Sequence, residues 1–310
     1  MNLTRRDFGK MALATAPGLA VAGSFGSGLK AMAQAPKPNS IINGVKIGLQ
    51  PFCYHDLPMN AENRPILFQR MVQNGLSIVE LHATWVEPRF TGAGINPQEA
   101  REKLIAWRKS EGPATYAAVK KEADDYGITI FTVYVGFNEN TSDEEIEGAY
   151  AMTKALGAQG AVGSYGQAVS KKLVPFPHKY GIFAGLHNHD NLSDPDAYSN
   201  EESFIKGLAL SPDFKATLDV RHFTAGNGDC VGFVKKHHER MSSVHLGDRR
   251  RNNGRSAPFG QGDAPIIEVL RLIRDNQWPI VALLEFEHGT LRTGVEEVQI
   301  QYDYCKRALA

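Results

Sequence analysis

Short apolar runs that read as strands alternate with stretches of helical periodicity from residue 45 to residue 309, and no shift in composition interrupts them. The strands are expected over 45–50, 78–82, 128–135, 160–164, 182–188, 215–219, 242–246 and 280–285. Helical stretches lie between them at 61–74, 142–156, 200–210, 231–240 and 265–276, with a last one at 295–309. Ile266, Val269, Leu270 and Ile273 recur at i, i+3, i+4 and i+7, as on a helix with one face against a sheet. Gly75, Gly127, Gly157 and Gly181 end helices just ahead of the next strand. Repetition of one β-then-α unit predicts a parallel sheet covered by helices, and eight such units predict a closed (β/α)8 barrel, the TIM-barrel architecture. The alternative is an open doubly wound sheet. It would carry a glycine-rich phosphate loop after the first strand, and Gly48-Leu49-Gln50-Pro51-Phe52 lacks that spacing, so no nucleotide cofactor is expected.

Five of the apolar runs end in side chains able to bind a metal. They are Val79-Glu80-Leu81-His82, Leu186-His187-Asn188-His189, Leu218-Asp219-Val220-Arg221-His222, Val244-His245-Leu246-Gly247-Asp248 and Leu284-Glu285-Phe286-Glu287. An ionisable group at the end of a buried strand is costly unless a partner, a metal or a substrate uses it. A single such ending suits packing, whereas five in one chain point to a site. In a barrel, strand ends of this kind line the mouth where active sites form.

Two connections are irregular. Residues 84–96 and 110–115 bracket 97–109, which predicts an extra helix or lid beside the mouth, with Trp85 and Phe90 as walls of a substrate pocket. Residues 248–262 contain Arg249-Arg250-Arg251, of which Arg250 is the candidate for reaching a substrate.

Lys+Arg and Asp+Glu both number 34, so no net charge steers the chain toward nucleic acid or an anionic membrane. A small neutral ligand is expected instead. Cys53, Cys230 and Cys305 are too few and too scattered for a disulfide framework or a zinc-thiolate cluster and read as small buried hydrophobes.

The N-terminus carries Thr4-Arg5-Arg6-Asp7-Phe8-Gly9-Lys10, a mildly apolar stretch over 11–22 and Ala-x-Ala sites near Ala33 and Ala35. This segment resembles a twin-arginine export signal, read by the twin-arginine translocase and removed on export. The expectation is a leader over 1–35, a catalytic domain over 36–310 and a periplasmic or otherwise exported product. No stable membrane insertion is expected after cleavage. The remaining 275 residues suit one barrel.

The last four strand endings, together with Pro258-Phe259-Gly260-Gln261-Gly262, resemble the xylose-isomerase-like barrels known as sugar phosphate isomerases and epimerases. Inosose dehydratases, ketose 3-epimerases and the endonuclease IV type of DNA repair enzyme share that architecture. The resemblance spans roughly residues 45–309. It implies one divalent metal, Mn²⁺ foremost with Zn²⁺, Co²⁺ or Fe²⁺ as alternatives, held by Asp219, His245 and Glu285. The family's fifth-strand carboxylate is replaced here by His187, with His189 as its competitor. Loss of that carboxylate removes one of the two opposed glutamates that ketose 3-epimerases use.

The resemblance further implies an isomerase or epimerase that removes an α-proton from a sugar or keto-sugar to form an enediolate. Glu80, His189, His222 and Glu287 are the acid/base candidates, and Asp248 is expected to orient His245 or an arginine. Export favours unphosphorylated carbohydrate. The same site suits β-elimination by a 3-keto-glycoside lyase or hydratase. A non-catalytic sugar-binding barrel is a third reading, and a DNA repair endonuclease, which needs a fuller ligand set and a basic track, is the least favoured. A homo-oligomer is compatible with all of them.

Overall fold

The computed structural model describes residues 37–92 and 94–310, so the leader expected over 1–35 lies outside the described residues. Eight parallel strands close a barrel: β1 Val45–Leu49, β2 Ile78–His82, β3 Thr129–Tyr134, β4 Gly160–Gly163, β5 Phe183–His187, β6 Phe214–Asp219, β7 Met241–Leu246 and β8 Val281–Leu284. Each pairs with its sequence neighbours, β8 pairs with β1, and the β1–β2 seam holds by the pair Leu49 and Val79. A two-residue strand, Ile41–Ile42, runs antiparallel to β1.

The helices are α1 Arg64–Asn74, α2 Pro97–Ser110, α3 Gly112–Tyr126, α4 Asp143–Ala155, α5 Gln167–Leu173, α6 Pro175–Tyr180, α7 Glu201–Leu208, α8 Val220–Ala225, α9 Cys230–His237, α10 Ile266–Asn276 and α11 Gly294–Leu309. Local chemistry sets their ends. Ser142 with Glu145, Asn200 with Ser203, and Thr293 with Glu296 form capping boxes at α4, α7 and α11. Ile266, Val269, Leu270 and Ile273 form the buried stripe of α10. Among the described residues no helix is long and apolar enough to cross a membrane.

The extra helix after β2 exists as α2, but it buries no residue and packs against α3 and α4. A part-buried ion pair fastens it. Arg108 donates to both carboxylate oxygens of Glu87 at 2.7 and 2.8 Å and to the Glu145 carbonyl at 2.8 Å, and the Tyr116 hydroxyl donates to Glu87. The Glu87 carboxylate thus ties the loop after β2 to α2 and α3, and Arg108 extends the link to α4.

Side-chain alternation along the strands grades the barrel interior. Ile78, Phe131, Val281 and Leu283, with Phe183 against them, form a small apolar cluster separate from the main core between barrel and helices. Two residues further along β2 and β8, on the same faces, stand Glu80 and Glu285. The interior therefore changes from apolar to ionisable toward the carboxyl ends of the strands.

Candidate metal centre

Four donor side chains meet at the ends of four consecutive strands. His187, Asp219, His245 and Glu285 are all buried, and each offers a ligand atom within 4.8 Å of the others. His187 Nε2 lies 3.1 Å from His245 Nδ1 and 3.8 Å from Asp219 Oδ2, while His245 Nδ1 lies 2.6 Å from Glu285 Oε2. Of the two fifth-strand imidazoles, His187 is the one in this cluster. His189 stands just beyond the strand end, exposed.

Backbone chemistry explains why Asp219 is so well placed. It is the N-cap of α8, and its Oδ1 accepts the His222 N–H at 2.9 Å. The Asn188 amide meets the backbone of the same residue, accepting from Asp219 N–H at 2.7 Å and donating to its carbonyl at 3.2 Å. Oδ1 is committed to the helix, and Oδ2 faces the cluster.

Electrostatics keep the carboxylates ionised. Burial opposes the charge on Asp219, but Arg221 and the surrounding histidines hold its carboxyl far below the usual range. Burial likewise opposes Glu285, and His245 outweighs it. The two imidazoles diverge. Burial and the neighbouring His245 push His187 well below the ordinary imidazole value, so it is neutral. Burial also disfavours charge on His245, but Glu80 and Glu285 on either side raise its pKa well above that value. Two neutralisable imidazoles and two carboxylates form a donor set suited to a divalent cation of intermediate hardness, and the buried cluster is able to hold one.

Arg221 crosses the floor of the site, 1 % exposed. Its Nη2 donates to Asp219 Oδ2 at 3.0 Å and lies 2.9 Å from His222 Nε2, while Nη1 pairs with Glu287. Gly247 makes room for it, since a Cβ there would sit 2.9 Å from Arg221 Cδ and 2.7 Å from the Glu285 carbonyl oxygen.

A second group forms beside the first. His222 Nδ1 lies 3.0 Å from Asp190 Oδ1, and His189 packs against His222 with ring centroids 4.5 Å apart. Arg249 Nη1 forms an ion pair with Asp190 Oδ2 at 2.8 Å and lies 3.3 Å from His222 Nδ1. His222 therefore has both ring nitrogens engaged, which leaves it no open nitrogen for the expected acid/base role. His189 is freer. Ser164 Oγ lies 2.9 Å from both His189 Nε2 and His187 Nδ1. Burial and the neighbouring His222 lower the His189 pKa, which favours the neutral base form.

Other expected roles change with the geometry. Glu80 is fully buried, with one oxygen accepting from the Thr132 hydroxyl at 2.8 Å and the other 3.2 Å from His245 Nε2, so it presents nothing to a substrate. Glu287 is exposed at the mouth but is paired with Arg221. Trp85 is fully enclosed in the core and offers no surface for a pocket wall, because the turn after β2 folds its ring inward. Arg250 points outward to Asp263, and Arg249 is the arginine that reaches the site. Asp248 orients neither His245 nor an arginine side chain. Its carboxylate accepts the backbone N–H groups of Arg249, Gly260, Gly262 and Ala264, so the Pro258–Gly262 motif is a loop wound around it.

Sequence reasoning also missed Ser164, Tyr134 and Asp190. The Tyr134 hydroxyl donates to Ser164 Oγ at 2.7 Å, and its ring stacks on His82 at 4.5 Å. The signal available was positional, because Tyr134 and Ser164 stand at the ends of the third and fourth strands as His187 does at the fifth.

Residues 166–306 match the model of the xylose isomerase-like TIM barrel family. Among solved structures the chain is similar to a sugar phosphate isomerase/epimerase from Parabacteroides distasonis, at 18% identity and a TM-score of 0.60 over 87% of this chain and 96% of that one. It is also similar to the probable 3-DHS dehydratase AsbF of Bacillus anthracis, at 13% identity and a TM-score of 0.61 over 84% and 98% of the two chains. D-psicose 3-epimerase from Clostridium cellulolyticum H10 gives 13% identity and a TM-score of 0.61 over 86% and 99%. No curated protein matches the chain by sequence. At these identities the likeness establishes the fold, a single eight-stranded parallel barrel of the xylose isomerase-like type.

Proposed function

We propose that this xylose isomerase-like barrel is a divalent-metal-dependent isomerase or epimerase acting on a sugar or keto-sugar through an enediolate. The observation that carries this reading is the convergence of His187, Asp219, His245 and Glu285 at the carboxyl ends of four consecutive strands. A divalent cation, Mn²⁺ foremost, held by these four residues would supply a Lewis acid that polarises a carbonyl and its neighbouring hydroxyl.

The chain's own groups then move the proton. His189 is anchored at Nε2 by Ser164, and its Nδ1, which makes no hydrogen bond among the described residues, takes the α-proton from the substrate. Return of that proton to the adjacent carbon, with the hydroxyl proton passing from one oxygen to the other, completes an isomerisation. Delivery of a proton to the opposite face of the same carbon completes an epimerisation. Arg221 and the deeply ionised Asp219 stay fixed throughout, so the mouth needs little reorganisation as charge develops.

A second reading follows from one specific observation. Glu287, the acid/base candidate at the mouth, is tied to Arg221, so among the described residues His189 is the expected base left without an ion-pair partner. One base suffices to take the α-proton of a 3-keto-glycoside and expel the β-substituent, as a lyase or hydratase does. The B. anthracis neighbour, described as a probable dehydratase, supports elimination on this fold. An exported location, with residues 1–35 as a removed leader, belongs to the proposal and favours unphosphorylated carbohydrate.

The two reactions separate by NMR of free sugars and 3-keto-glycosides incubated with cation-loaded protein in D₂O. Deuterium at the α-carbon without cleavage is the expected result for isomerase chemistry, and release of the aglycone selects elimination. Binding with neither outcome overturns both in favour of a sugar-binding barrel.

A further inference from the structure

Glu80 spends a buried carboxylate where no substrate reaches, and the cation reading gives it a purpose. It stands on β2, separated from β7 in the barrel by β1 and β8. The Thr132 hydroxyl donates to Oε2, while Oε1 lies 3.2 Å from His245 Nε2 as an ion-pair contact outside hydrogen-bond geometry, and neither of these facing atoms has a hydrogen-bond partner among the described residues. An unpaired carboxylate at this depth is strongly disfavoured, so the two orphaned atoms define each other's partner.

Resting on that cation reading but not on the reaction, we infer that Glu80 is a positioning residue that sets the ring of His245. Accepting the Nε2 proton, the carboxylate holds the imidazole in the tautomer whose lone pair is on Nδ1. Nδ1 is also the atom that meets the other donors, 3.1 Å from His187 Nε2 and 2.6 Å from Glu285 Oε2. The ring is gripped from the far side of the barrel and aimed at the cation position. Carboxylate groups behind ligand histidines fix the tautomer and raise ligand basicity in this way. A proton-transfer role for Glu80 would need access to the mouth, which its complete burial behind His245 denies.

The probe is Co²⁺ alone, titrated into metal-free protein against a chromophoric chelator. Glu80→Gln keeps the volume and the Thr132 contact but removes the charge. It is expected to weaken Co²⁺ binding by about 10–100-fold with the thermal unfolding of the metal-free protein unchanged. Wild-type affinity in Glu80→Gln overturns this inference alone. No Co²⁺ binding by wild type overturns the cation reading and this inference with it. Should the variant not fold, the wild-type Co²⁺ protein decides. An exchangeable, paramagnetically shifted N–H assigned by ¹⁵N-histidine labelling to His245 Nε2 is expected, and a proton on Nδ1 refutes the assignment.

Discussion

The two halves of the barrel end their strands differently. Strands β5 to β8 terminate in His187, Asp219, His245 and Glu285, a buried set dominated by charge. Strands β1 to β4 terminate in Gln50, His82, Tyr134 and Ser164. There the Gln50 amide lies 2.5 Å from His82 Nε2, His82 stacks on Tyr134, and Tyr134 donates to Ser164. Burial disfavours charge on His82, and its pKa is lowered despite the nearby Glu80. One half offers ligand atoms. The other supplies largely neutral groups that face the candidate ligands' second nitrogens, Ser164 for His187 and, through a buried carboxylate, Glu80 for His245. The family model's match at 166–306 contains all four strand ends that bear the candidate ligands. The lesson is that donor identity and donor orientation come from opposite sides of one closed sheet.

The largest expected effect breaks the ligand half. His245→Ala or Glu285→Ala should take the protein from about one bound divalent cation per chain to none, read by elemental analysis, with activity lost. A retained cation would remove these residues from the ligand set. In the wild type the same centre should bind more weakly as pH falls. Glu80 and Glu285 raise the His245 pKa, so below that pKa a cation must displace a proton and affinity drops by up to about tenfold per pH unit. Affinity indifferent to pH would contradict an imidazole ligand flanked in this way.

Next comes the proposed base. His189→Ala should lower kcat by about 10²–10⁴-fold while the cation is retained, separating proton transfer from cation binding. Equal loss of both would merge His189 with the ligand group. The smallest effect belongs to the orienting half. Ser164→Ala should weaken cation affinity or turnover by about tenfold, measured by chelator competition and initial rates. A loss as complete as that of His245→Ala would erase the distinction between the halves.

Strand positions were readable from the sequence to within one or two residues, because each strand is a short apolar run bounded by turn residues. The two middle connections were not. Gly112-Pro113 reads as a break, yet proline in a first turn sacrifices no intrahelical hydrogen bond, and α3 starts there. Pro175 likewise stands in the first turn of α6. At the site, strand-end position pointed to five polar endings, and the resemblance to xylose-isomerase-like barrels implied the grouping of His187 with Asp219, His245 and Glu285 among them. Burial depth did not. Nothing in the order of residues says that Glu80 lies behind His245, or that Arg249 rather than Arg250 turns inward, since both depend on contacts between distant segments. Asp248 misled because its adjacency to a ligand strand hid its backbone role in the loop.

Arg249 carries a last consequence. Its guanidinium is held by the Gly254 carbonyl, Asn253 and Asp190, with Nη1 close to His222, so a permanent positive charge is built into the second histidine group. A second metal ion there would have to evict it or bear its repulsion at close range. Under the proposed cation reading, the mouth therefore suits a single ion. In-line displacement at phosphorus between two ions, the chemistry of many nucleases, is disfavoured there.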